Sequence, residues 1–80
     1  MLVEILSPEK KLFAGEVISA QFPGTTGSFQ VLKNHAAMIA SIKQGNIVLK
    51  TDSGVKTFSV TGGFVEVLNN HVNVLIEGTL

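Results

Sequence analysis

The stretch His71-Val72-Asn73-Val74-Leu75-Ile76 sets Val72, Val74 and Ile76 at every second position. Successive side chains on an extended chain point to opposite faces. Branched aliphatics at period two therefore read as the inner side of a half-buried strand. Working outward, the same period returns. Ile47 and Leu49 share a face in Asn46-Ile47-Val48-Leu49-Lys50, Phe58 and Val60 in Thr57-Phe58-Ser59-Val60, and Phe29 and Val31 in Ser28-Phe29-Gln30-Val31. In Val17-Ile18-Ser19-Ala20-Gln21-Phe22 the pattern puts Ile18, Ala20 and Phe22 together.

Turn chemistry separates these runs. Ser7-Pro8-Glu9, Pro23-Gly24-Thr25-Thr26-Gly27, Gln44-Gly45-Asn46, Thr51-Asp52-Ser53-Gly54, Gly62-Gly63 and Asn69-Asn70 fall between them. Gly and Asn tolerate the positive φ of tight hairpins. Short strands at regular spacing, rich in Val and Ile, predict a sandwich or barrel. The segment His35-Ala36-Ala37-Met38-Ile39-Ala40 places Ala36, Ile39 and Ala40 on one helical side, but one turn of helix does not stand alone. It reads as an irregular crossing between strands. The expected fold is all-β: a flattened antiparallel β-sandwich of about eight to ten short strands with no substantial helix.

Residues 1–80 read as a single small domain, with no repeat, linker or low-complexity stretch. A chain of this length buries only ~60–65% of its unfolded surface, so its stability margin is thin and docking onto a partner adds to it. Hydrophobic residues make up 45% and charged residues 15%, too apolar for a disordered chain. Six Lys balance six acidic residues and there is no Arg. Neither a basic stripe nor a bidentate phosphate contact is available, which argues against nucleic acid. No Cys is present, so disulfides and thiolate metal sites are excluded. No apolar run exceeds five residues, against the ~20 that a spanning helix needs.

Reactive constellations are missing from the pattern. His35 and His71 are the only imidazoles, and they have no metal-ligand spacing with a carboxylate. Asp52 sits in a turn where Asp bonds its own backbone, and no Gly-x-Ser-x-Gly elbow occurs. The Gly-rich turns lead into strands rather than helices, unlike a phosphate loop. Glu4, Glu9, Glu16, Asp52, Glu66 and Glu77 are scattered one per segment and read as solvated charges. His71, after Asn69-Asn70, reads as an exposed hairpin end. What remains is surface, so the chain reads as a binding module that uses loops on a rigid scaffold.

Ordered motifs then point to a family. Leu6-Ser7-Pro8-Glu9-Lys10 and Leu12-Phe13-Ala14-Gly15-Glu16-Val17 are followed by Gly27-Ser28-Phe29-Gln30-Val31-Leu32-Lys33-Asn34-His35-Ala36-Ala37-Met38. Ile42-Lys43-Gln44-Gly45-Asn46-Ile47, Gly62-Gly63-Phe64-Val65-Glu66-Val67 and Asn70-His71-Val72-Asn73-Val74-Leu75 complete the set across nearly the whole chain. Together they resemble the N-terminal β-sandwich of the ATP synthase epsilon family.

The resemblance implies a non-catalytic, cofactor-free rotor subunit of the proton-translocating enzyme's central stalk. It would dock the gamma subunit onto the membrane rotor ring of c subunits, couple proton flow to ATP synthesis, and meet the alpha and beta chains only indirectly. It would be a peripheral protein at the cytoplasmic face of the bacterial inner membrane, held by the complex without inserting into lipid. By position, Thr25, Thr26, Gly27 and Ser28 match the ring-facing loop, where Ser28 replaces a frequent acidic residue. Ser7, His35 and Ala40 match positions near gamma. Ala37 stands where the family usually has Pro, which loosens the crossing. The family's two-helix C-terminal domain has no counterpart in these residues.

Such a surface should cluster exposed apolar side chains on one sheet face and at the loop end. Two rivals follow from size and class. A biotinyl or lipoyl carrier domain would display a Lys at a hairpin tip, and Lys56 lies near Asp52-Ser53-Gly54. A small enzyme would need a deep polar pocket joining His35 to a carboxylate.

Overall fold

A computed structural model describes residues 1–80 and contains nine strands. In chain order they are β1 Leu2–Leu6, β2 Lys11–Glu16, β3 Ser19–Phe22, β4 Phe29–Leu32, β5 Met38–Ile42, β6 Gly45–Thr51, β7 Gly54–Val60, β8 Gly63–Leu68 and β9 His71–Ile76. A broad sheet has the order β2-β1-β9-β8-β5, and a narrow sheet the order β4-β3-β6-β7. They pack face to face in a flattened body of 27 × 26 × 19 Å. The expected all-β sandwich is the observed fold.

The alternation builds the core directly. Val3, Ile5, Val65, Val67, Val72, Val74 and Ile76 point inward from the broad sheet. Ala20, Phe22, Val31, Ile47, Leu49 and Val60 meet them from the narrow one. Full burial of one such aliphatic or aromatic side chain stabilises by about 1.5–3 kcal/mol. No polar side chain is buried among them. At one edge the seam between β2 and β7 is closed by Phe13 and Phe58, edge to face at 5.9 Å.

Three expectations need correction. The segment read as an irregular crossing contains β5, which pairs with β8 from Met38↔Val67 to Ile42↔Gly63. Ala36, Ile39 and Ala40 fit a helical period, but long-range pairing with β8 decides the conformation. Pairing is also not wholly antiparallel. β1 lies parallel to β9, Val3 beside Val72 and Ile5 beside Val74, with the rest of the chain serving as the crossover such a pair requires. Finally, Ile18 does not join Ala20 and Phe22; it is 50% exposed. The chain changes sheets there: the Val17 N–H donates to Met1 O, whereas the Ile18 N–H donates to Lys50 O. The corner resets the alternation, burying Val17 instead.

Two turns require their residue types. Asn69 and Asn70 have φ of 51° and 61° between β8 and β9, as a two-residue turn with positive φ at both positions demands. Gly63, at φ 152°, opens β8 where a Cβ would collide with the Leu75 carbonyl oxygen and lie 2.8 Å from the Ile76 Cα.

A candidate docking surface

The loop of residues 25–28 is exposed and anchored at its base to β5. The Thr25 N–H donates to Ser41 O at 3.2 Å, and the two hydroxyls of Thr25 and Ser41 lie 2.9 Å apart. The Gly27 N–H donates to Gly24 O, closing the turn. Thr25, Thr26, Gly27 and Ser28 thus line a shallow groove of about 530 Å³ whose other wall includes Met38, Ile39, Ala40 and Ser41. The structure brings Ala40 to the ring-facing loop of the sequence reading.

His35 lies elsewhere. It is half-buried at the opposite end of β5, in a polar groove of about 420 Å³ with Asn34, Ala37, Leu68, Asn69 and Asn70. Its Nδ1 is 2.8 Å from Ala36 O, and no carboxylate lines the groove. Ser7 is on the other flank. Its hydroxyl donates to Lys10 O at 3.1 Å and closes the β1–β2 turn. Since β9 and β8 separate β1 from β5, Ser7 stands ~14 Å across the sheet from β5. Ser7, His35 and Ala40 therefore border the broad sheet without forming one patch.

The outer face of the broad sheet contributes what no single residue of the sequence reading named. Leu6, Leu75 and Phe64 are cross-strand neighbours in one row. Ile39 stands opposite Glu66, and Leu68 one turn of the pleat beyond. Phe64 is 58% exposed and Ile39 73%. A third groove, of about 310 Å³, runs between Ile39, Val67 and Leu68. The expected clustering on one sheet face is met in part: Ile39, Phe64, Leu68 and Leu75 stand on it, whereas Ile18, Leu32, Val55 and Leu80 are exposed elsewhere, and residues 25–28 at the loop end carry no large apolar side chain. The signal was available by subtraction. Once Val65 and Val67 point inward, Phe64 and Leu68 must point out.

On the same face Glu4 links three strands. Lys11 Nζ is 3.2 Å from Glu4 Oε2, and His71 Nε2 donates to Glu4 Oε1 at 3.0 Å. The Lys11 contact, then the His71 hydrogen bond, hold the Glu4 carboxyl below its ordinary value. His71 is thus part of a cross-strand pair, not a free hairpin end. The pair sits on an open sheet, with no cleft to hold a reacting molecule. No cluster of three or more His, Cys, Asp or Glu could hold a metal ion. Lys56 is inside β7 opposite Leu49, not at the hairpin tip that a carrier domain needs.

With this geometry in hand, comparison with known proteins is direct. Residues 1–80 match the family described as the ATP synthase delta/epsilon chain, β-sandwich domain. An ATP synthase epsilon chain of Endomicrobium trichonymphae is 44% identical over 75 residues, spanning 94% of this chain and 54% of that one. One of Chlorobaculum tepidum is 42% identical over 76 residues, 94% of this chain and 86% of that one. The chain spans little more than half the length of several curated relatives it matches. Among solved structures, the central stalk and c-ring of Tetrahymena thermophila mitochondrial ATP synthase contains a chain that superposes with a TM-score of 0.87 at 19% identity, over 99% of this chain and 64% of that one. At that identity the likeness establishes the fold.

Proposed function

The chain belongs to the ATP synthase delta/epsilon family, and from that membership we propose that it is a non-catalytic epsilon subunit whose residues 1–80 dock as one unit in the central stalk. It grips the gamma subunit and seats it on the c-subunit ring, so that proton-driven rotation reaches the catalytic alpha and beta chains. The complex holds it at the cytoplasmic face of the bacterial membrane, a placement supported by the bacterial origin of the relatives.

The observation that carries this reading is the set of apolar side chains on the outer face of the broad sheet: Leu6, Leu75 and Phe64 in one row, and Ile39 and Leu68 flanking Glu66 beyond the polar row Glu4, Asn73, Glu66. A fold this small gains nothing from leaving such side chains in water, whereas a long-lived interface buries them in its centre. Apolar contact also suits a part that transmits torque, because packed surfaces resist sliding without relying on screened charge. The ring contact falls to Thr25, Thr26, Gly27 and Ser28, which offer hydroxyls and backbone rather than a carboxylate. Ser7, His35 and Ala40 border the gamma side.

The test is affinity capture from native membranes in mild detergent, using this chain as bait. Recovery of gamma with the alpha and beta chains supports the reading. Clean recovery of the bait alone contradicts it.

A further inference from the structure

Asn34, Asn69 and Asn70 are the non-glycine residues at positive φ, and two of them face each other from different loops. The Asn34 N–H donates to Asn70 Oδ1 at 2.6 Å, and Asn70 Nδ2 donates to Asn34 Oδ1 at 3.0 Å. The pair ties the β4–β5 crossing to the β8–β9 hairpin. The Asn70 carbonyl in turn accepts from the Leu2 N–H at 3.0 Å, so the hairpin is itself fixed to β1.

The crossing needs this tie. Residues 33–37 make one backbone–backbone hydrogen bond, from the His35 N–H to Leu32 O. Ala37 adds no constraint of its own at the position where a proline would restrict the chain. Apart from that single turn, the amide pair is what orders the backbone immediately before His35. Left untied, that segment would pay its ordering entropy on binding.

We propose that Asn34 and Asn70 are positioning residues whose reciprocal amide pair presets the crossing, and with it His35, for the gamma subunit. This rests on the reading of His35 as a gamma contact. Neither asparagine touches the partner for this purpose; both act through the backbone they hold.

Asn70→Gly is the decisive variant, because Gly keeps the positive φ of the hairpin and removes only the amide. The full chain is titrated onto gamma-containing ATP synthase stripped of its own epsilon. Asn70→Gly should weaken binding about tenfold, and Asn34→Gly, which keeps the shorter backbone bond, by about threefold. Exchange of the Asn34 amide should quicken about tenfold in Asn70→Gly. His35→Ala should also weaken binding about tenfold, and adding Asn70→Gly to it should cost less than about twofold more, since both act through one contact. A merely structural asparagine would give additive effects, and so would overturn the proposal. Wild-type affinity in Asn70→Gly with weakened His35→Ala overturns the clamp and leaves the gamma reading standing. Unchanged affinity in His35→Ala overturns the gamma reading at that residue and the positioning role with it.

Discussion

The sandwich has two outer faces, made by the same alternation and left with different chemistry. On the narrow sheet the outward rows are Gln30, Gln21, Val48 and Thr57, then Asn46 and Ser59, joined by a 2.8 Å hydrogen bond. Apart from Val48, its apolar members are at the far end, Leu32 and Val55 on either side of Ser19 and Lys50. On the broad sheet the row Leu6, Leu75, Phe64 crosses three strands and ends at Ser41 on β5, while Ile39 and Leu68 lie beyond the polar row Glu4, Asn73, Glu66. Both sheets fill the core from their inner residues, so the core does not explain the exposed apolar side chains of either outer face. The proposed docking accounts for the difference between the faces.

The sharpest way to break this comparison is to show that the apolar outer row serves the fold. Two phenylalanines decide it. Phe22 is fully buried, and Phe22→Ala should lower unfolding free energy by about 3–5 kcal/mol. Phe64→Ala should stay within about 0.5 kcal/mol in the same denaturant titration. Comparable losses would mean that Phe64 is structural.

Next in size is the effect on docking. Phe64→Ser combined with Leu75→Ser should weaken binding to gamma about 100-fold, or about 2.7 kcal/mol, by isothermal titration. Gln21→Ser with Thr57→Ser, the matching pair on the narrow sheet, should change it by less than about twofold. Equal effects from both pairs would erase the distinction between faces. Ile39→Ser alone, at the edge of the patch, should cost about tenfold.

Much of this was legible in the residues. The strands around Ile47, Val65 and Val72 follow from strict alternation, and the Asn69-Asn70 hairpin follows from its turn chemistry. The apolar face follows too, once the inner residues are assigned. Three features were not legible. β5 was hidden because Ala36, Ile39 and Ala40 satisfy a helical period over a window too short to arbitrate, while its true conformation depends on β8, more than twenty residues later. The Glu4–His71 pair joins residues 67 apart, and only the parallel contact of β1 with β9 brings them together. The corner at Val17 and Ile18 failed for a related reason: alternation holds within a strand and not across a change of sheet.

The smallest effect concerns that polar pair within the apolar face. The folded Glu4 carboxyl is held below its ordinary value, chiefly by Lys11 and then by His71. A depressed carboxylate adds stability that is present above the unfolded value of about 4.3 and is lost as pH falls through the folded one. Glu4→Gln should therefore melt below wild type at pH 7, and the gap should close as the solution is acidified below about pH 4. A gap that persists or widens in acid would remove the ion pair from the account.

The central claim is that the outer skin of the broad sheet faces the shaft. Photo-cross-linking in the assembled, membrane-bound enzyme tests it most directly, with a benzophenone amino acid placed once at Phe64 and once at Thr57. The account predicts a covalent adduct with gamma from position 64 and none from position 57. An adduct from position 57, with position 64 left free, would contradict it.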